Sequence, residues 1–176
     1  MRKSNQLVKL GLAALAASMV STSANADVIP GNATANVIAP LLLVETTPMD
    51  FGDVAGGTAG GTVVMDLAGG RTVTGDANAL ASTLGAAGQF TIEGATGLAF
   101  TLAVTGTATL TNPGNTASMT ADNFTENGSA VTLTGAGSPD GFQISGRLNV
   151  GASQFADTYS TANPGGATFT VTANYN

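Results

Sequence analysis

Leu98-Ala99-Phe100-Thr101-Leu102-Ala103-Val104-Thr105 places a large apolar residue at every second position. A period of two sends Leu98, Phe100, Leu102 and Val104 to one face of a strand and Ala99, Thr101, Ala103 and Thr105 to the other. Threonine suits the outer face because its branched Cβ fits a pleated surface. The same pattern recurs on both sides of this stretch. Val63, Met65 and Leu67 form one run, and Phe90 with Ile92 forms another. Val131 and Leu133 alternate with Thr132 and Thr134. Phe142, Ile144, Leu148 and Val150 share a parity across Gly146, which marks a bulge or a close backbone approach. Phe169, Val171, Ala173 and Tyr175 close the series, with Thr168, Thr170 and Thr172 opposite.

Turn chemistry separates these runs: Ala55-Gly56-Gly57, Gly69-Gly70, Asn112-Pro113-Gly114-Asn115, Asn127-Gly128, Ser138-Pro139-Asp140-Gly141 and Asn163-Pro164-Gly165-Gly166. Gly and Asn accept positive φ, and Pro presets its own φ. Short strands so punctuated predict an all-β fold, an antiparallel sandwich or barrel. Asn78 to Ala87 is the best helical candidate, read as a loop or one short helix. A transmembrane barrel needs strands of about 9–11 residues and aromatic girdles. These runs are mostly shorter, and seven Phe with two Tyr make no girdle.

The first 26 residues carry a different signal. Met1 to Lys9 is basic, Leu10 to Val20 is apolar, and Ala24-Asn25-Ala26 offers a small-residue cleavage site. That order predicts a removable secretory signal peptide over 1–26, and its apolar run is too short to span a bilayer. The expected mature domain is 27–176, a single unit large enough to bury a core. It is expected in the periplasm or at the cell surface. The absence of cysteine excludes a lipidated anchor and any disulfide, so packing and backbone hydrogen bonds must hold the fold.

Removing the leader takes three basic residues and no acidic one. Two arginines, Arg71 and Arg147, then face eleven carboxylates, a net charge of −9. Such a chain repels nucleic acid and anionic lipid. It also has no His, Cys, Lys or Trp after residue 26. General acid–base and nucleophilic chemistry lose their usual carriers, and the Gly56–Gly61 run lacks the lysine of a phosphate loop. Asp50 with Asp53, or Asp122 with Glu126, are the only carboxylate pairs suited to glycoside chemistry, and each sits in a solvated polar stretch. No catalytic residue, cofactor or metal ligand is assigned, so an enzyme is not expected. Asp122, Asn123, Glu126 and Asn127, and Asp76 with Asn78, are the oxygen-rich clusters that could interest calcium, without EF-hand spacing.

Two stretches suit strand exchange. Asn32 to Thr46 is strand-prone, with Ala33, Ala35, Val37, Ala39, Leu41 and Leu43 on one parity. It serves either as the first strand of its own sheet or as a strand given to a neighbour. Pro40 donates no ladder hydrogen bond and divides the stretch, so 27–39 is the candidate donor extension and the rest is retained. Gly166 to Asn176 is the second stretch, an edge-strand candidate through Phe169, Val171, Ala173 and Tyr175.

Pro48-Met49-Asp50-Phe51-Gly52-Asp53-Val54, Ala87 to Gly94, Gly146-Arg147-Leu148-Asn149-Val150 and Thr168 to Asn176 together resemble a secreted bacterial family, the domain of unknown function number forty-four-oh-two. The resemblance covers nearly all of 27–176. The ending is also similar to chaperone–usher pilus subunits, whose last strand carries alternating apolar residues and a penultimate Tyr. That similarity implies an immunoglobulin-like, pilin-like sandwich completed by donor strands, a periplasmic chaperone and a role in fimbriae or adhesion. The chain departs from many pilins in lacking a disulfide pair and in its long loop, Phe155 to Gly166. The expected function is therefore an exported structural protein that associates with itself or with other surface subunits. The alternative is a secreted binding module, for example for glycans, using Phe155 and Tyr159.

Overall fold

The computed structural model describes residues 29–114, 117–129 and 131–176. The predicted signal peptide and the first two residues of the candidate donor extension, Asp27 and Val28, lie outside them. The chain divides into two units, residues 1–36 and 37–176. The described part of the first, 29–36, is exposed and contains no strand. Among the described residues the second holds every strand, and no helix occurs.

The strands are β1 (Leu42–Thr47), β2 (Val54–Ala55), β3 (Gly61–Met65), β4 (Arg71–Gly75), β5 (Asn78–Ala79) and β6 (Gly88–Glu93). They continue with β7 (Phe100–Thr105), β8 (Ala108–Thr111), β9 (Ser118–Glu126), β10 (Asp140–Val150) and β11 (Thr170–Tyr175). Every ladder is antiparallel. The all-β antiparallel expectation is met.

β10 organises the larger sheet. One edge pairs with β9 from Ile144 to Asn149, and β8 pairs in turn with β9. The other edge is shared: Asp140 to Ile144 pairs with β6, and Arg147 to Val150 pairs with β3. β1 lies outside β6 and β4 outside β3, giving seven strands. β7 and β11 form a separate pair in which Val171 faces Val104, Ala173 faces Leu102 and Tyr175 faces Phe100. β2 and β5 make a short ribbon.

Two apolar clusters follow from this division. Phe90, Ile92, Phe142 and Ile144 of the large sheet are buried with Phe100 and Leu133, and Leu102, Val104, Val171 and Ala173 of the small sheet pack on them. Two layered sheets thus enclose one cluster. The second, around Val63, Met65, Ala108, Ala121, Leu148 and Val150, has Phe51 and Ala77 from connecting segments as its cover. Fully burying an aliphatic side chain such as Ile144 or Leu148 stabilises the fold by roughly 1.5–3 kcal/mol.

The suspected irregularity at Gly146 is both things at once. The β9–β10 register shifts between Ser145 and Arg147, so Asn123 and Phe124 together oppose Gly146. Asn123 takes φ 51°, and the Phe124 ring lies where a Gly146 Cβ would stand, 2.8 Å from Cδ1.

Several sequence expectations need correction. Asn32 to Thr46 is not one strand: ladder pairing begins only at Leu42, immediately after the segment that Pro40 interrupts. Val131 to Thr134 makes only an isolated bridge, Thr132 to Ala99, although Leu133 is buried. Asn78 to Ala87 is neither helix nor plain loop, because Asn78 and Ala79 form β5 before the chain becomes irregular.

Candidate functional site

β1 and β11 are both edge strands. β1 pairs only with β6 and β11 only with β7 among the described residues, leaving one side of each ladder open. Their inward side chains, Leu43 and Val171, pack on the same cluster. Both also line a groove of about 1020 Å³. Its apolar lining includes Met49, Phe90, Leu110, Met119, Phe124 and Phe169.

The clusters give the groove a direction. Leu43 and Val171 pack on the cluster between the two sheets, whereas Leu148 and Val150 belong to the other one. Met49, Phe124 and Phe169 pack on both and mark the middle. Phe169 stacks on Phe124 with centroids 4.3 Å apart and meets Phe90 edge-on at 6.5 Å. Ala108 and Ala121 are register partners, and both line the groove with small side chains.

The sequence-predicted residues fall into two groups. Val171, Ala173 and Tyr175 are half-buried along the inner face of β11, whereas Phe169, expected in the same strand, is half-buried in the irregular segment just before it. Ala33, Ala35 and Val37 are exposed and lie in no ladder, and Val37 is 92% exposed. Ala39 is half-buried and is the one residue of its group joined to the other: its carbonyl accepts from the Tyr175 hydroxyl at 2.8 Å. The same hydroxyl accepts from the Ala95 amide at 2.6 Å. The structure does not bring Ala33, Ala35 or Val37 into a ladder with the last strand.

The carboxylates mostly serve the backbone. Asp50 accepts from Gly52 N, Asp66 from Ala68 N and Gly70 N, and Asp76 from Ala59 N. Glu126 accepts from the amides of Gly128 and Ser129, and Asp140 from Thr134 N. Asp122 takes a different role: Arg147 Nε and Nη2 donate to its two oxygens at 2.8 and 3.0 Å, and Asn149 adds a third contact. The Arg147 hydrogen bond holds the Asp122 carboxyl below its ordinary value, against the opposing effect of burial. The Thr158 amide likewise lowers that of Asp157. Of the residues considered for calcium or for acid–base work, Asp50, Asp76 and Glu126 are thus engaged by amides, and Asp122 by Arg147 and Asn149. No group of three or more His, Cys, Asp or Glu gathers among the described residues.

Sequence reasoning missed Phe124, Met119 and Gln154. Phe124 sits in Asp122-Asn123-Phe124-Thr125-Glu126, which reads as solvated. The bulge at Asn123 turns its ring inward, out of parity with Ala121. Gln154 carries no local signal at all.

A family model described as a domain of unknown function matches residues 42–175. The chain belongs to DUF4402. The DUF4402 match runs from the first residue of β1 to the last of β11, so it spans both edges of the groove. No curated protein and no solved structure shows significant similarity to the chain.

Proposed function

We propose that this DUF4402 protein is an exported structural subunit of the cell surface, pilin-like in its assembly, whose groove is completed by an added β-strand. The observation that carries the reading is the pair of open edges, β1 and β11, beside one apolar groove. Open ladder groups are ready to pair with an extended segment, and a groove floor supplies pockets for its alternate side chains. Half-buried Leu43, Val171 and Phe169 gain cover when such a strand enters, at roughly 25 cal/mol per Å² of apolar surface removed from water.

Export rests on the basic, apolar, Ala-x-Ala order of residues 1–26. The donor is the extension 27–39, through Ala33, Ala35, Val37 and Ala39, and a periplasmic chaperone holds the groove before assembly. The test is removal of residues 27–39. The shortened protein is expected to remain soluble and monomeric, while the parent associates as its concentration rises in analytical ultracentrifugation. Undiminished association by the shortened protein ends this reading.

One observation favours the alternative of a glycan-binding module. Phe155 is 65% exposed, and Tyr159 donates to its carbonyl. A glycan array probed with the exported protein decides it, with binding lost in Phe155→Ala as the expected result.

A further inference from the structure

The far end of the groove contains a feature that strand pairing alone does not explain. Gln154 lines the groove, and its Nε2 is buried without a hydrogen-bond partner among the described residues. Two glycines make room for it. A Cβ at Gly56 would come within 3.1 Å of the Gln154 Cβ, and one at Gly151 within 2.7 Å of its Oε1. The loop is held there by the Ser153 amide, which donates to the Gly57 carbonyl at 2.9 Å. A buried donor left unpaired forfeits its bond to water without replacement, so native folds rarely retain one without a use.

We propose that Gln154 is the register-setting donor of the groove, hydrogen-bonding a backbone carbonyl near the end of an inserted strand supplied by residues Ile29–Val37 of a second copy. This rests on the strand-completion reading above and adds the residue that fixes where the strand stops. Two observations select that occupant. Residues 29–38 are exposed, with Ile29 at 80% and Val37 at 92%. The chain from Val28 to Val44 has no charged residue. The groove wall includes Glu45, Asp50, Asp53 and Asp157 and, among the described residues, no basic one, so a neutral strand enters where an acidic one is repelled.

The test uses the full chain, expressed with its own leader and purified from the exported fraction, in three variants: Gln154→Leu, Val37→Asp and the pair together. Gln154→Leu is expected to weaken self-association ~10-fold in analytical ultracentrifugation, the effect of one lost hydrogen bond to the occupant. In the Val37→Asp background, which keeps the protein monomeric, the same substitution is expected to leave the melting temperature unchanged or higher, because an unpaired buried amide is removed. A melting temperature that falls with Gln154→Leu in that background assigns Gln154 a structural partner such as a buried water and overturns the inference. Unchanged association in Gln154→Leu, with association abolished in Val37→Asp, overturns the Gln154 role and leaves the strand reading standing. Association unaffected by Val37→Asp, or a wild type that never associates, overturns both.

Discussion

The Tyr175 hydroxyl donates to the carbonyl of Ala39, joining the end of the last strand to the residue just before Pro40. The ring belongs to the cluster between the sheets, and the hydroxyl also accepts from Ala95 N. One side chain therefore ties three parts of the chain at the point where pairing in β1 is about to begin. Tyr175→Phe keeps the ring and removes both bonds, leaving the Ala95 amide and Ala39 carbonyl to find water. The expected loss is about 1–2 kcal/mol in urea unfolding. Gly94 reports on the same contact, because a Cβ there collides with the Tyr175 hydroxyl and with Leu133 Cδ1. Gly94→Ala is expected to cost at least as much, and to cost less when combined with Tyr175→Phe. Additive losses in the double variant would show that the two do not meet.

Arg71 acts as a clamp on main-chain carbonyls. Its Nη1 donates to Phe51 O and Asp53 O, and its Nη2 to Leu80 O and Thr83 O. β4 aims it inward, since Arg71 pairs with buried Met65. The planar fork reaches two segments at once, and a lysine ammonium cannot reproduce that spread. Arg71→Lys is expected to lower stability by about 1–2 kcal/mol and to speed amide exchange at Leu80, which donates to Asp53 O. Exchange rates unchanged at Leu80 would mean the segments hold themselves.

Acid should expose the Asp122–Arg147 pair. The Asp122 pKa is lowered in the folded chain, chiefly by the Arg147 hydrogen bond. A carboxyl with a depressed folded value binds fewer protons folded than unfolded. Its stabilisation is complete above the ordinary carboxylate value of about 3.9 and disappears as pH falls through the lower folded value. Wild type is therefore expected to lose stability more steeply below about pH 4 than Asp122→Asn, with the two curves converging at the acid end. Parallel curves from neutral pH down to pH 2 would remove this contribution. Because the pair is about one-third exposed, the difference at neutral pH is expected to be small and to shrink in high salt.

Much of the architecture is written in residue periodicity. Phe100, Leu102 and Val104, and Val171, Ala173 and Tyr175, alternate cleanly, and they meet as register partners in the small sheet. What periodicity could not reveal has physical causes. β8 and β9 escape notice because their buried positions include Ala108 and Ala121, too small to stand out, and because Asn123 breaks the parity between Ala121 and Phe124. The start of β1 was legible from Pro40, through its missing donor. The groove was not, since it depends on which edges stay unpaired, and alternation describes the faces of a strand and says nothing of its edges. Gln154 illustrates the far limit: its burial comes from glycines on both sides, one of them almost a hundred positions away in sequence.

The Gly146–Phe124 contact makes the sharpest test of the bulge and of the groove floor together. Asn123 in the left-handed region supplies the extra residue, and the Phe124 ring then stacks on Phe169 while covering Gly146. Any Cβ at 146 pushes on that ring from a β10 in which the preceding Ser145 and, two positions on, Leu148 are almost wholly buried. Gly146→Ala is expected to destabilise by about 1–3 kcal/mol through overpacking. Phe124→Leu alone should cost a comparable amount by loss of aromatic contact area. Combined, the smaller side chain at 124 vacates the space that the new methyl needs, so the double variant should be more stable than the sum of the two losses implies. A coupling of at least ~0.5 kcal/mol in that cycle confirms direct contact, and strict additivity contradicts the bulge geometry. Because Phe124 and Phe169 also line the groove, the same pair of variants should weaken self-association, and Gly146→Ala should do so by displacing Phe124 without touching the inserted strand.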